Sequence, residues 1–125
     1  MRKRAVGLTP QELEIMKVVW PLARATVRDV YEALRTRRDI AYTTVQTMMN
    51  LLESKGHLVK SPGPRAQFYA PTKPQGQVEQ GMVREFVSRM FDGSARPLLV
   101  HLAKDTSLTP KERRSLERLL SEGEK

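Results

Sequence analysis

Apolar residues recur at helical spacing in three short stretches near the start of the chain. Leu13, Met16 and Trp20 fall at i, i+3 and i+7 and predict a first amphipathic helix. Thr9 is placed to cap it, Pro10 suits the first helical position, and Glu12 completes a Thr-x-x-Glu capping box. Pro21 is expected to stop it, because proline disfavours the helical conformation of Trp20 and cannot donate a backbone hydrogen bond. Val27, Val30, Tyr31 and Leu34 then commit one face of a second helix to a core, with Thr26 as cap and Asp29 as its acidic partner. A polar, basic link over Arg35–Asp39 follows. The third helix is predicted from Tyr42 to Lys55, with Gly56 placed to end it. Val45, Met48, Met49 and Leu52 form its apolar stripe, while Thr43, Gln46, Thr47, Asn50 and Ser54 point the other way.

Beyond Gly56 the pattern changes. Leu58–Ser61 and Gln67–Ala70 read as two short strands joined by Pro62-Gly63-Pro64-Arg65, and Pro71 to Gly76 reads as a linker. From Gln77 to Phe91, Val78, Met82, Phe86 and Met90 make one stripe, with Val83, Val87 and Phe91 beside it. A further helix over Ala95–Lys104 carries Leu98, Leu99 and Leu102, and Asp92-Gly93 separates the two. Thr109-Pro110-Lys111-Glu112 repeats the opening signal of the first helix and starts a last one bearing Leu116, Leu119 and Leu120.

The expected fold is mainly α with a small β-hairpin: a winged helix-turn-helix over 1–72, followed by a helical dimerisation segment over 73–125. The double stripe on the helix after the linker is wider than one small core needs, so a second copy of the chain would bury the excess. Packing beneath the winged domain is the alternative. The apolar positions open to a dimer contact along the segment are Val78, Met82, Phe86, Met90, Leu98, Leu99, Leu102, Leu116, Leu119 and Leu120.

Composition narrows the function. At 125 residues the chain holds one compact domain, or a small domain plus an accessory segment. It carries 22 Lys and Arg against 14 Asp and Glu, a net charge of +8. Residues 1–72 hold twelve basic and six acidic side chains and so contribute +6. This balance favours a polyanionic partner. No apolar run is long enough to span a membrane and no signal core follows Met1, so the cytoplasm is the expected location. Zero cysteines excludes thiol chemistry and cysteine-based metal sites. His57 and His101 are the only histidines, and no acidic cluster, phosphate loop or nucleophile motif accompanies them. An enzyme is therefore not expected, nor any cofactor or metal.

Hydroxyl and amide side chains on a helix suit base edges in the major groove, while basic ones grip phosphate. Thr43, Thr44, Gln46, Thr47 and Asn50 are the candidate readers of double-stranded operator DNA. The plainer alternative is a solvated helix face, although such faces usually carry Glu and Lys rather than weak helix formers like Thr. Lys60 and Arg65 on the hairpin are candidate phosphate or minor-groove contacts, Arg65 serving equally as a solubilising turn residue. Tyr42 would either bond a phosphate or pack as a staple, and Arg2, Lys3 and Arg4 would form a basic arm. A winged helix that binds RNA or serves as a protein-interaction adaptor is the rival. An adaptor would expose apolar residues on the third helix; RNA would need a direct comparison of duplexes.

These residues give the chain a family resemblance. Leu8-Thr9-x-x-Glu12-Leu13-Glu14-Ile15-Met16-x-Val18-Val19-Trp20 and Thr44-Val45-Gln46-Thr47-Met48-Met49-x-Leu51-Leu52-x-x-Lys55-Gly56 resemble the penicillinase and methicillin-resistance repressors, the BlaI/MecI type. Arg65-x-x-Phe68-Tyr69-Ala70-Pro71 and Phe91-Asp92-Gly93-Ser94 also match, and coverage is essentially the full chain. The resemblance implies a homodimer on a dyad-symmetric operator, joined through the C-terminal helices. It also implies relief by a membrane-bound sensor protease that leads to cleavage in the dimerisation segment. The corresponding stretch is Val100-His101-Leu102, so the cleavage region would lie at His101 and Leu102, without the Asn-Phe bond of the penicillinase repressors. The cysteine cluster of a copper-sensing branch is absent.

Overall fold

The computed structural model describes residues 7–105 and 108–123. The elements run α1 (Pro10–Leu22), α2 (Val27–Leu34), α3 (Tyr42–Ser54), β1 (Leu58–Pro62), β2 (Gln67–Pro71), α4 (Gln75–Phe91), α5 (Arg96–Lys104) and α6 (Pro110–Gly123). They divide into two compact units with the boundary between Met82 and Val83, inside α4.

Three helices open with the same device. Thr9, Thr26 and Thr109 each accept from the backbone N–H three residues on, and the Glu12, Asp29 and Glu112 carboxylates accept from the N–H of the capping threonine. α3 ends in a Schellman arrangement: Gly56, at φ +90, donates to the Glu53 carbonyl, and His57 donates to that of Leu52.

The core of the first unit is built from one face of each helix. α2 contributes Val27, Val30 and Leu34, and α3 contributes Val45, Met49 and Leu52. Tyr31 and Met48 sit at its margin. On α1 the buried face is Ile15, Met16 and Val19 rather than the expected Leu13–Met16–Trp20 stripe. Leu13 and Trp20 pack only partly against the core. Trp20 is held at the edge because its indole Nε1–H donates to the Lys73 carbonyl at 3.1 Å, giving its polar tip a partner.

Pro21 does not stop α1, which continues through it to Leu22. In the last turn a proline forfeits a single bond, to the carbonyl of exposed Lys17. The helix instead ends at Ala23, whose φ of +69 turns the chain while its N–H reaches the Val19 and Trp20 carbonyls.

β1 and β2 pair antiparallel, with Leu58 opposite Pro71 and Pro62 opposite Gln67. Ala25, in the connection between α1 and α2, adds a one-residue third rung by exchanging both backbone bonds with Tyr69 at 2.8 and 2.9 Å. The hairpin is thereby joined to the helices on its β2 side.

Glu12 is the one buried charged residue among those described, 2% exposed. The Lys55 ammonium at the end of α3 donates to its Oε2 at 2.6 Å. Burial alone would raise the Glu12 carboxyl. The Lys55 ammonium and the Thr9 amide outweigh it, and the carboxyl lies below its ordinary 4.5. One carboxylate thus caps α1 and fastens the far end of α3.

The second unit comprises the rest of α4 with α5 and α6. Val87 is buried, the Phe86 and Phe91 rings meet edge-on at 5.9 Å, and Phe91 tilts against His101 at 6.0 Å. Arg113 of α6 donates to the Ala103 carbonyl of α5 at 2.8 Å.

Glu12→Gln removes the charge-assisted bond and is expected to lower stability by about 1–3 kcal/mol in urea unfolding. An unchanged midpoint would show the tie to be dispensable. The pH dependence has a definite sign. The folded Glu12 pKa is depressed, so its contribution is present above 4.5 and lost as pH falls through the folded value. His57 is also depressed from 6.5, mainly by burial, so its contribution is full above 6.5 and declines below it. Stability is expected to fall on acidification through both ranges, and Glu12→Gln to flatten the loss below 4.5.

Candidate nucleic-acid interface

The outer face of α3 follows from its inner one. With Val45, Met49 and Leu52 at 0% exposure, the helix cannot rotate without uncovering them, and Thr43, Thr44, Gln46, Thr47 and Asn50 are all left exposed. Asn50 is also steered, since the Tyr69 hydroxyl donates to its Oδ1 at 2.8 Å. Burial first, then the nearby Glu53 carboxylate and Tyr42, raise Tyr69 above its ordinary 10.0, which keeps this hydroxyl a donor.

The start of α3 differs from the other capped helices. Its N-cap is Ala41, which has no side chain to accept from the first-turn N–H groups. Donors that threonines satisfy at α1, α2 and α6 are here left without a side-chain acceptor.

A cleft of about 370 Å³ opens where α2, α3 and the hairpin meet, lined by Thr26, Arg28, Tyr42, Gln46, Gln67 and Tyr69 among others. It brings Tyr42 and Gln46 together with Arg28 and Gln67, which the sequence reading did not single out. A signal for Arg28 was present: it occupies the first turn of α2, where a cation opposes the helix dipole and needs another reason to stand there. Its charge is shared with Glu32, 3.4 Å away. Tyr42 packs its ring edge-on to Tyr31 at 5.4 Å, with the Arg28 guanidinium 5.9 Å from its own centroid.

Lys60 and Arg65 are exposed on β1 and on the turn, and the Lys60 ammonium lies 5.9 Å over the Tyr69 ring. Arg2, Lys3 and Arg4 lie outside the described residues. Of the residues expected at a dimer contact, Val78 and Met82 pack against the core of the first unit. Phe86, Met90, Leu119 and Leu120 are exposed, while Leu98, Leu99, Leu102 and Leu116 are half-buried. His101 is exposed, and Val100-His101-Leu102 lies within α5. Among the described residues no three His, Asp or Glu side chains gather in a way that would hold a metal ion. No described helix is long and apolar enough to cross a membrane.

Three helices, a short hairpin and a helix face of hydroxyl and amide groups define a winged helix-turn-helix regulator. Residues 8–122 match the penicillinase repressor family, and the chain belongs to it, a family of transcriptional repressors and not of enzymes. Over 95 residues it is 35% identical to the transcriptional regulator BlaI of Mycobacterium tuberculosis, an alignment spanning 74% of this chain and 69% of the relative. It is 24% identical over 120 residues to the penicillinase repressor of Bacillus licheniformis, covering 96% of this chain and 94% of that one. Among solved structures, the DNA-binding domain of the repressor BlaI superposes with a TM-score of 0.52 at 28% identity, covering 59% of this chain and 90% of that domain. A MarR variant from Escherichia coli shares the fold at a TM-score of 0.55 and 20% identity, covering 94% of this chain and 79% of that one.

Tyr69→Phe is expected to release Asn50 and to cost about 0.5–1.5 kcal/mol in thermal or urea unfolding. Stability equal to the parent's would show that the Tyr69–Asn50 bond does not hold the hairpin to α3.

Proposed function

We propose that this repressor acts in the cytoplasm as a homodimer on a palindromic double-stranded operator, with α3 in the major groove. The observation that carries this is the outward face of α3. It is uncharged and, Leu51 apart, rich in hydrogen-bonding groups, with Arg28 beside Gln46 in the cleft and Lys60 over the Tyr69 ring that bonds Asn50. Gln46 pairs with an adenine edge, Thr43, Thr44 and Thr47 meet bases, thymine methyls or phosphate, and Asn50 lies at the far end of the same face. Tyr42 and the uncapped N–H groups at the start of α3 take a phosphate. Lys60 and Arg65 grip the backbone or minor groove beside the hairpin.

A dimer is supported by large apolar side chains that stay exposed among the described residues of the single chain. Phe86 is 46% exposed, Met90 60% and Leu119 62%, too many large hydrophobes for one small surface. Since Val78 and Met82 are engaged by the first unit, the dimer face we assign begins at Val83 and includes Phe86, Met90, Leu98, Leu99, Leu102, Leu116, Leu119 and Leu120. Two half-sites held together raise the affinity of each through effective concentration. Relief by cleavage fits the same arrangement: Val100 and His101 are exposed on α5, and a cut at His101 or Leu102 severs α6 from the DNA-binding unit.

Gln46→Ala and Thr47→Ala are expected to cost roughly 1–3 kcal/mol on the preferred duplex and little on random DNA. Equal losses on both would remove base reading from this face. Phe86→Asp with Met90→Asp is expected to yield a folded monomer in sedimentation equilibrium, because both side chains are exposed in the single chain. A dimer that survives both changes would place the contact elsewhere.

A further inference from the structure

Arg24 lies in the connection between α1 and α2, outside every residue assigned above to the DNA. Its guanidinium carbon sits 3.8 Å from the centroid of the Phe68 ring. That ring lies in turn against the backbone of the hairpin turn: a Cβ added at Gly63 would fall 2.6 Å from Phe68 Cε1. Only a glycine lets the ring settle there, and the ring then forms a flat support for a planar cation.

The register says which side of the hairpin this is. Neighbouring residues on a strand point to opposite faces. Tyr69 turns toward the core and Asn50, so Phe68 turns away from them. Lys60 stands opposite Tyr69 and Ser61 opposite Phe68, and the Lys60 ammonium accordingly lies over the Tyr69 ring. The hairpin therefore carries Lys60 along one face, Arg24 against the other and Arg65 on its turn.

Arg24 is also chemically available. Arg28 and Arg35 pair with Glu32, and Arg38 pairs with Glu14 at 3.0 Å. Among the described residues no carboxylate pairs with Arg24. Its contact with the ring holds the guanidinium against Phe68, and among the described residues no hydrogen-bond acceptor takes its N–H groups.

We propose that Arg24 is a DNA-contacting residue of the wing, held ready by Phe68 to take a phosphate on the side of the hairpin away from Lys60. This rests on the DNA-binding function proposed above. A hairpin entering a groove meets phosphates on two walls, and cations on both of its faces answer both. Because the stack has already ordered the side chain, little rotamer freedom is left to lose on contact.

The test is operator affinity as a function of salt, with thermal midpoints to confirm folding. Arg24→Ala is expected to weaken binding about three- to tenfold and to lower the log–log salt slope by about 0.9, the counterion released by one phosphate contact. Arg24→Lys keeps the slope and loses part of the affinity. Phe68→Leu keeps the slope and weakens binding, but causes no further loss in the Arg24→Ala background. An Arg24→Ala protein with the parent's affinity and slope would overturn the proposal, and additive losses would overturn the positioning by Phe68. A parent protein whose duplex binding ignores salt would instead defeat the DNA-binding function itself, a result that cannot be confused with the other two. Should Phe68→Leu fail to fold, the slope of Arg24→Ala decides alone.

Discussion

The burial of Val45, Met49 and Leu52 is the constraint on which the rest of the molecule depends. All three are wholly enclosed, and fully burying such side chains contributes on the order of 1.5–3 kcal/mol each. That fixes the rotation of α3 about its axis. Whatever stands on the opposite side is thrust into solvent, and in this chain it is three threonines, a glutamine, an asparagine and one apolar residue, Leu51. The recognition surface proposed above is thus a by-product of core packing, with its chemistry set by the residue types on the uncovered side.

Rotation alone does not set where the helix ends point. Lys55, at the close of α3, is tied to a buried carboxylate that also caps α1, and Asn50 is tied to the hairpin through Tyr69. The hairpin is itself joined to the stretch before α2 by the Ala25–Tyr69 rung. α1, α2, α3 and the wing are thus linked by a few short-range polar contacts laid over one apolar core. Such ties suit the groove-reading role proposed for α3, because base contacts tolerate little angular error. The cations divide in a similar way: Arg35 and Arg38 are paired with Glu32 and Glu14, while among the described residues no carboxylate pairs with Lys60, Arg65 or Arg24.

Local chemistry was legible in the sequence, and contacts across the chain were not. The capping boxes at Thr9, Thr26 and Thr109, the glycine that ends α3, and the apolar faces of α2 and α3 all depend on residues within a few positions of one another. The candidate reading face came out of that same periodicity. By contrast, Glu12 looked like a cap and nothing more, because its second partner is 43 residues away. The stripe on α1 was misplaced by a residue or so because Trp20 is apolar by composition yet spends its N–H on a carbonyl of the linker. Pro21 is a stop signal by its chemistry, but its place in the last turn of α1 makes it harmless. The one-residue rung at Ala25 carries no pattern at all. Arg24 carries no local signal for the same reason: the Phe68 ring it rests on, and the Gly63 that makes room for that ring, lie far along the chain.

Selection of bound sequences from random duplex DNA tests the central claim, that the uncovered side of α3 reads bases in a symmetric pair. A two-fold palindrome is expected, its half-sites separated by about one or more helical turns, each with a thymine- or adenine-containing core suited to threonine and glutamine. Recovery of duplexes with no shared sequence, or of a single unpaired site, would contradict it.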